Sequence, residues 1–445
     1  MTNDKNPLQD ILPEMLGAAW QQPNQSAYDF RSDTVTTPTL QIFRAIALAS
    51  FNDGWTGGGD TKAFEDYTSQ LLGMQSTIFM VSTTLANQVA IWAHIGTAPA
   101  GVICDYRSHF LHMEGGSIAM VSGALPQPVT PSNGLYITLE DIKRRIVLVD
   151  ESKPASETDC PTRVIHLEVP LGGNIMPLEE VRRIKRFANE NGVKVNIDGA
   201  RLWDAASAGA GSLSDYAAAA DSVNLSMSKG IGAPVGSTLS GDSKFVLRAK
   251  SIHKSMGGSM RQPGLLAASA REAIESTFQP QQIGKVKNGF SRSHEQARRL
   301  AEHWIGLGGS LLVPQETNMV WLDLASIGIR EADWIAGARE DGILLHSCRI
   351  VTHFQILDSA VERLQQYMTK AFRTMRKSSP CQFPEREAVS RLAACMQDVY
   401  QYRRNGRTAT VKSLASPESF QSQSMDNTPG LNSISPVSNG VKTLS

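Results

Sequence analysis

Three polar features of this chain stand where apolar segments end, and each has a chemistry of its own. Lys229 lies in "NLSMSKGIGAPVGSTLSGD" (224–242), preceded by Ser226 and Ser228 and followed by Gly230, Gly232, Gly236 and Gly241. An interior lysine beside so much bare backbone is costly unless a group docks on it. Asp198 closes "VKVNID" (193–198), and Ser82, Thr83 and Thr84 join an apolar run to a helical one. The serine–threonine turn suits a phosphate, because free backbone N–H groups and the positive helix end point at it and the hydroxyls add donors. A lysine, a carboxylate and a phosphate cup are the anchors of pyridoxal 5'-phosphate. The amine forms a Schiff base with its aldehyde, and the carboxylate keeps the pyridine nitrogen protonated so that the ring draws electrons.

Those groups need a scaffold that brings strand ends together. "STIFMVS" (76–82) reads as a buried strand followed by a helix at "LANQVAIWAHI" (85–95). "GVICDY" and "TRVIHLEVP" read as further strands. "LEEVRRIKRFANENG" (178–192) carries Leu178, Val181, Ile184 and Phe187 at helical spacing and stops on Asn191–Gly192. "VKVNID" and "DSVNLSMS" are the next strands, the second running into Lys229. Such alternation predicts an α/β domain on a mostly parallel sheet, whose ligands collect at the carboxyl ends of the strands. After about residue 280 the pattern changes. Helices at "SRSHEQARRLAEHWIGLG", "EADWIAGAREDG" and "SAVERLQQYMTKAFRTMRK" surround strands at "NMVWLDL", "GILLHS" and "IVTHFQI", which predicts a smaller α+β domain. The expected organisation is an arm over 1–26 with a short helix, a large domain over 27–279, a small domain over 280–378, a helical extension over 379–411 and a disordered Ser/Pro-rich tail over 412–445.

The 445 residues carry 43 basic and 43 acidic side chains, so no strong field for nucleic acid or an anionic membrane is expected. "RRIKRF" (182–187) reads as a solvated helix face. The five scattered cysteines form neither a disulfide scaffold nor a metal set, and the start of the chain lacks a signal-peptide pattern, which together predict a cytoplasmic protein. His112, three residues after His109, reads as packing or surface. His353 reads as a support for Arg349, and "GGG" at 57–59 as a turn.

Five blocks carry a family resemblance. "YDFRSDTVTTPT" (28–39), "NIDGARLWDAA" (196–206), "SMSKGIGAPVGS" (226–237), "GGSMRQPGLLAA" (257–268) and "RIVTHFQI" (349–356) resemble the threonine aldolases of the β-eliminating lyase family, in order, over roughly residues 27–375. The resemblance implies a fold-type-I pyridoxal phosphate enzyme, its large α/β domain built on a mostly parallel seven-stranded sheet, and a homodimer or homotetramer acting on a small amino acid. It makes Lys229 the Schiff-base lysine and Asp198 the partner of the pyridine nitrogen. Arg201 would meet the cofactor oxygen and the substrate carboxylate, with Ser32 and Arg349 as further carboxylate-binding residues. His109 would stack on the ring and serve as a base. Ser82, Thr83 and Thr84 would hold the phosphate, together with Lys254 and Arg261 reaching it across a subunit interface.

Three stretches depart from the family pattern. Ser82-Thr83-Thr84 stands for Thr-Gly-Thr, Glu168-Val169-Pro170-Leu171 for Glu-Asn-Thr-His, and "WTGGGD" (55–60) for Tyr-Gly-Glu-Asp-Pro. The cofactor residues are therefore intact while the substrate pocket has drifted toward apolar residues. Two reactions stay open. One is retro-aldol cleavage of threonine or allo-threonine to glycine and an aldehyde, with His109 or a water it holds as base. The other is racemisation of an amino acid of the alanine type on the same scaffold, with Lys229 serving one face of the α-carbon and His109 or a bound water the other. The drifted pocket favours a specialised biosynthetic role. A relative that binds cofactor without turning it over is disfavoured by the intact Lys229 and Asp198.

Overall fold

Strands β1 (Ser76–Met80), β2 (Ala100–Asp105), β3 (Ala124–Val129), β4 (Thr162–Glu168), β5 (Lys194–Gly199), β6 (Ser222–Ser226) and β7 (Ser237–Gly241) form one sheet in the order β1-β7-β6-β5-β4-β2-β3. They belong to a computed structural model that describes residues 23–51, 58–96, 99–149, 160–278, 288–375, 391–392 and 395–396. Trp55, the helix expected in the amino-terminal arm, the 279/280 domain boundary, most of the 379–411 extension and the 412–445 tail lie outside the described residues.

Strands β2 to β6 pair in parallel, and β7 runs antiparallel to both β1 and β6. The expected seven-stranded, mostly parallel sheet is therefore present. Two of its strands have no counterpart in the strands read from the sequence. β3 is "ALPQPV", whose Pro126 and Pro128 depress strand propensity, and the edge position at the end of the sheet is where proline is tolerated. β7 is "STLSG", small and polar, yet buried at every residue because it lies between β1 and β6.

The sheet is covered on both faces, which is why its strands read as nearly continuous apolar runs. Alternate residues of one strand serve opposite cores. Ile78 and Met80 pack with helices α3 (Thr83–Ile95) and α5 (Ser243–Ser255), whereas Phe79 joins the cluster on the other face. That second cluster takes Ile42 from α1 (Leu40–Leu48), Phe64 and Leu72 from α2 (Gly59–Leu72), Val181 and Ile184 from α4 (Leu178–Glu190) and Ala267 from α6 (Gly264–Ala273). The basic face of α4 is solvated, as read: Arg183 pairs with Glu140 and Glu180, and Arg186 with Glu179.

The carboxy-terminal part is built from α7 (Gly289–Gly306), α8 (Glu331–Glu340) and α9 (Asp358–Met375) around a two-stranded antiparallel sheet of β8 (Met319–Trp321) and β9 (Arg349–Val351). "GILLHS" forms no strand; it contributes only an isolated bridge between Leu344 and Asp29. That bridge has a partner elsewhere in the chain. The Phe30 N–H donates to the Leu344 carbonyl, Leu344 N–H to the Tyr28 carbonyl and Val351 N–H to the Phe30 carbonyl. Residues 28–30 thus belong structurally with the carboxy-terminal sheet. Among the described residues, no helix is long and apolar enough to cross a membrane.

Candidate active site

The carboxyl ends of β4, β5 and β6 deliver a carboxylate, a second carboxylate and a lysine. Glu168 and Asp198 end neighbouring strands and stand opposite one another in the ladder. Lys229 follows three residues after β6, in an arch from Met227 to Gly236 closed by backbone bonds from Met227 N–H to the Gly236 carbonyl and from Ala233 N–H to the Met227 carbonyl. Glycine at 236 has φ 121° and a Cβ there would lie 2.6 Å from the Phe79 ring. Gly232 is pressed in the same way by Phe354. Glycines 232 and 236 therefore fit against phenyl rings of the chain itself.

Lys229 is only partly buried, and among the described residues its Nζ has no hydrogen-bonding partner. Burial, then the Arg201 charge, hold its pKa below the ordinary lysine value, against the pull of Asp198, Asp33 and Glu168. Asp198 is buried, and each of its oxygens accepts one bond: Asn87 Nδ2 donates to Oδ2 at 2.8 Å and the Ala200 N–H to Oδ1 at 3.0 Å. Burial pushes this carboxyl up, but the charge of Lys229, then His166, and the bond from Asn87 bring it net below its usual range.

A polar chain links Asp198 to His109. Asn87 also donates to Glu114 Oε1 at 2.9 Å, and its own Oδ1 accepts from Asn224 Nδ2 at 2.6 Å. His109 Nδ1 lies 3.0 Å from the same Glu114 Oε1, and Gln88 holds the other oxygen. With Nδ1 paired to a carboxylate, the ring is fixed and Nε2 is left for chemistry. The His109 N–H donates to Glu168 Oε2 at 2.9 Å. No hydrogen bond reaches Glu168 Oε1 among the described residues, and the side chain keeps partial exposure. Burial, then the Asp198 charge, push the Glu168 carboxyl up to about 7.

Arg201 opens the short helix Leu202–Ser207 beyond β5 and forms a fork with Asp33, Nε to Oδ2 at 2.7 Å and Nη2 to Oδ1 at 2.6 Å. Burial would raise the Asp33 pKa, but the Arg201 charge and bonds overcome it and hold the carboxyl well below its ordinary value. Ser32 caps the turn Asp33–Val35, accepting from the Thr34 N–H. Arg349 begins β9 and donates from Nη2 to the Arg31 carbonyl at 3.2 Å, with its guanidinium 5.6 Å from the Trp321 ring centre. At the start of α3, the Ser82 hydroxyl accepts from the Leu85 N–H and caps the helix, and Thr83 and Thr84 occupy its first turn.

Lys254 and Arg261 are placed elsewhere. They line a cavity of about 690 Å³ with Lys62, Glu65, Lys250 and Phe79, and neither Lys229, Asp198 nor Arg201 borders it. His112 Nε2–H donates to the Tyr106 carbonyl at 2.6 Å, a packing role, and His353 is buried with its Nε2–H donating to the Asp29 carbonyl at 3.1 Å. The departure at 169–171 also changes meaning. Val169 and Leu171 are buried in the two large hydrophobic clusters, so their apolar side chains serve cores, not a pocket wall.

Asp33, Asn87, Glu114 and Glu168 were not among the residues singled out from the sequence. Glu168 had a usable signal, since it ends an apolar strand just as Asp198 does. Asn87 sits one turn into the helix chosen for phosphate. Glu114 follows a loop and has no local signature.

The family model of the beta-eliminating lyases matches residues 29–326. Aldolase vrtJ of Penicillium aethiopicum is 44% identical over 350 residues, covering 78% of this chain and 87% of that protein. Alanine racemase TOXG of Cochliobolus carbonum is 38% identical over 365 residues, with 81% and 92% covered. The low-specificity L-threonine aldolase of Eremothecium gossypii is 37% identical over 351 residues, with 79% and 89% covered. Among solved structures, the threonine aldolase of Leishmania major superposes with a TM-score of 0.65 at 19% identity, covering 78% of this chain and 99% of that one, a likeness of fold.

Proposed function

The chain belongs to the beta-eliminating lyase family, and from that premise we propose that it is a pyridoxal phosphate-dependent aldolase. Its substrate would be threonine, allo-threonine or a related β-hydroxy-α-amino acid, cleaved to glycine and an aldehyde. The likeness to aldolase vrtJ supports cleavage of this kind.

The residues present fit the cofactor. Lys229 offers an unpartnered amine, Asp198 a buried carboxylate kept ionised, and the start of α3 a turn of free N–H groups with two threonines. Lys229 would tie the cofactor down, Asp198 would face its ring nitrogen and Thr83 and Thr84 its phosphate. When bound, the cofactor supplies an electron sink for the substrate α-carbon. The chain supplies position and proton transfer. Arg201, held in one orientation by Asp33, and Arg349 with Ser32 would bind the substrate carboxylate.

The single observation that carries the reading is the Glu168–His109–Glu114 arrangement beside Lys229. Bond cleavage needs a base at the β-hydroxyl. His109 Nε2 and Glu168 Oε1 are both left open, and a carboxyl near 7 accepts and returns protons at neutral pH. The same two groups also support the second reading. Racemisation needs a proton donor on each side of the α-carbon, and Lys229 with Glu168 or His109 would provide the pair, as the likeness to TOXG suggests.

Lys254 and Arg261 border a cavity that Lys229 does not line, which supports a reading in which they complete the site of a second copy in at least a homodimer. The deciding experiment incubates the cofactor-loaded protein with L-threonine, L-allo-threonine and L-alanine and resolves the products by chiral chromatography. Glycine with loss of the hydroxyamino acid supports the aldolase. D-alanine without glycine replaces it with the racemase, and neither product from any of the three overturns both.

A further inference from the structure

Outside the rim, the described residues contain one group of side chains whose chemistry the proposed reaction does not use. Cys348, Cys395 and Glu331 place their sulfur and carboxylate atoms within 4.8 Å of one another. Cys348 is buried at the start of the turn into β9, and its N–H donates to Glu331 Oε2 at 2.8 Å. Cys395 is only partly buried, in the short segment beyond α9.

The position of Cys395 is not incidental. Leu392 and Met396, on either side of it, are buried in the carboxy-terminal core, and Arg391 pairs with Asp323 at 3.0 Å. Met396 also packs against Gly172, where its Cε would lie 3.6 Å from an added Cβ. Two apolar anchors and an ion pair therefore hold one thiol over the other.

We propose that Cys348 and Cys395 form a reversible disulfide that staples the segment around residue 395 to the strand bearing Arg349. The oxidant would be a low-molecular-mass disulfide such as oxidised glutathione. The Cys395 sulfur, the more accessible, attacks one sulfur of that disulfide and expels a thiolate, which takes up the Cys395 proton. The Cys348 sulfur then attacks the Cys395 sulfur and expels the second thiolate, while the Cys348 proton passes to the Glu331 carboxylate. Two protein thiols are oxidised and one external disulfide is reduced to two thiols. The bond to Cys395 and burial hold the Cys348 thiol protonated, so an acceptor as close as Glu331 is what the second step requires. Because Arg349 is the next residue, the closed bond also fixes the backbone from which that guanidinium reaches out.

The test uses the full-length, cofactor-loaded protein, equilibrated in reduced or in oxidised glutathione and then alkylated and digested. Loss of both thiols together, with a linked 348–395 peptide two hydrogen masses lighter, is expected in the oxidised sample. Its Tm should exceed that of the reduced sample by roughly 3–8 °C. Cys395→Ser should abolish the linked peptide and the Tm shift while leaving the activity of the reduced enzyme unchanged. Cys381→Ser should leave both in place. The proposal is overturned if both thiols remain alkylatable in oxidised glutathione, or if either pairs with Cys160 or Cys381. It is equally overturned if stoichiometric zinc protects the two reduced thiols and blocks oxidation, since the cluster would then be a metal site.

Discussion

The strand ends of the large sheet and the core of the carboxy-terminal part are packed by opposite means. At the rim, Asp33, Asp198, Glu168, Arg201 and Lys229 share a small volume, held by paired charges and hydrogen bonds. In the carboxy-terminal core, Trp304 meets Trp334 and Phe372 edge-on at 5.8 and 4.7 Å, and Tyr367 donates to the Trp334 carbonyl at 2.7 Å. Charge burial is expensive and leaves reactive groups with displaced pKa values, whereas aromatic packing is stabilising and chemically inert. The two regions should therefore separate under mutation, rim changes moving activity and core changes moving stability.

Lys229→Ala should produce the largest effect, a loss of roughly 10⁴-fold in turnover with disappearance of the visible absorbance of lysine-bound cofactor. Its urea midpoint should not fall, because a half-buried amine held below its ordinary pKa is removed; a large drop would break the comparison. Next, Trp304→Ala should cost about 3–5 kcal/mol in urea unfolding while leaving kcat per folded molecule unchanged. Asp33→Asn is the rim change expected to move both readouts. Leaving Arg201 buried without its counter-charge should cost about 3 kcal/mol, and loss of the fixed guanidinium should raise KM about tenfold.

Glu168→Gln keeps an acceptor for the His109 N–H but cannot hold a proton at Oε1. Wild-type kcat should rise with pH through about 7 as the carboxyl ionises, and the variant should lose that rise along with roughly 10²-fold in rate. A pH profile identical in both proteins would remove Glu168 from the chemistry. The smallest effect concerns His94, stacked on Phe245 at 4.4 Å and pushed down to about 4 by burial. Its folded pKa lies below the unfolded one, so stability present at pH 7 is lost as pH falls from 6.5 toward 4. At pH 5 this amounts to about 2 kcal/mol, and His94→Gln should show a correspondingly weaker acid dependence.

What the sequence made legible follows from locality. Strands β1, β2, β4, β5 and β6 announce themselves as apolar runs, and α4 by its spacing and its Asn191–Gly192 stop, because both faces of the sheet are covered. β7 escaped because "STLSG" owes its strand to neighbours on either side, not to its own residues. In the site, Lys229, Asp198 and the turn at 82–84 were visible as strand ends and a helix start. Glu114 and Asn87 were not, since their importance lies in a hydrogen-bond chain between elements separated in sequence by 27 and 111 residues. The apolar residues at 169–171 misled for the same reason, as only the fold shows that Val169 and Leu171 turn into cores.

The pairing of residues 28–30 with the carboxy-terminal sheet has a consequence for the growing chain. Asp29 meets His353 across 324 residues, and the backbone partners at 344 and 351 lie nearly as far on. At 5–20 residues per second, Asp29 waits roughly 15–65 s on the ribosome before those partners have been made. Ser32 and Asp33, which immediately follow, take their final places only then. A nascent chain can assemble its sheet and expose Lys229 before residues 28–30 have their partners at 344 and 351, so the corner that carries Ser32 and Asp33 is completed late in synthesis.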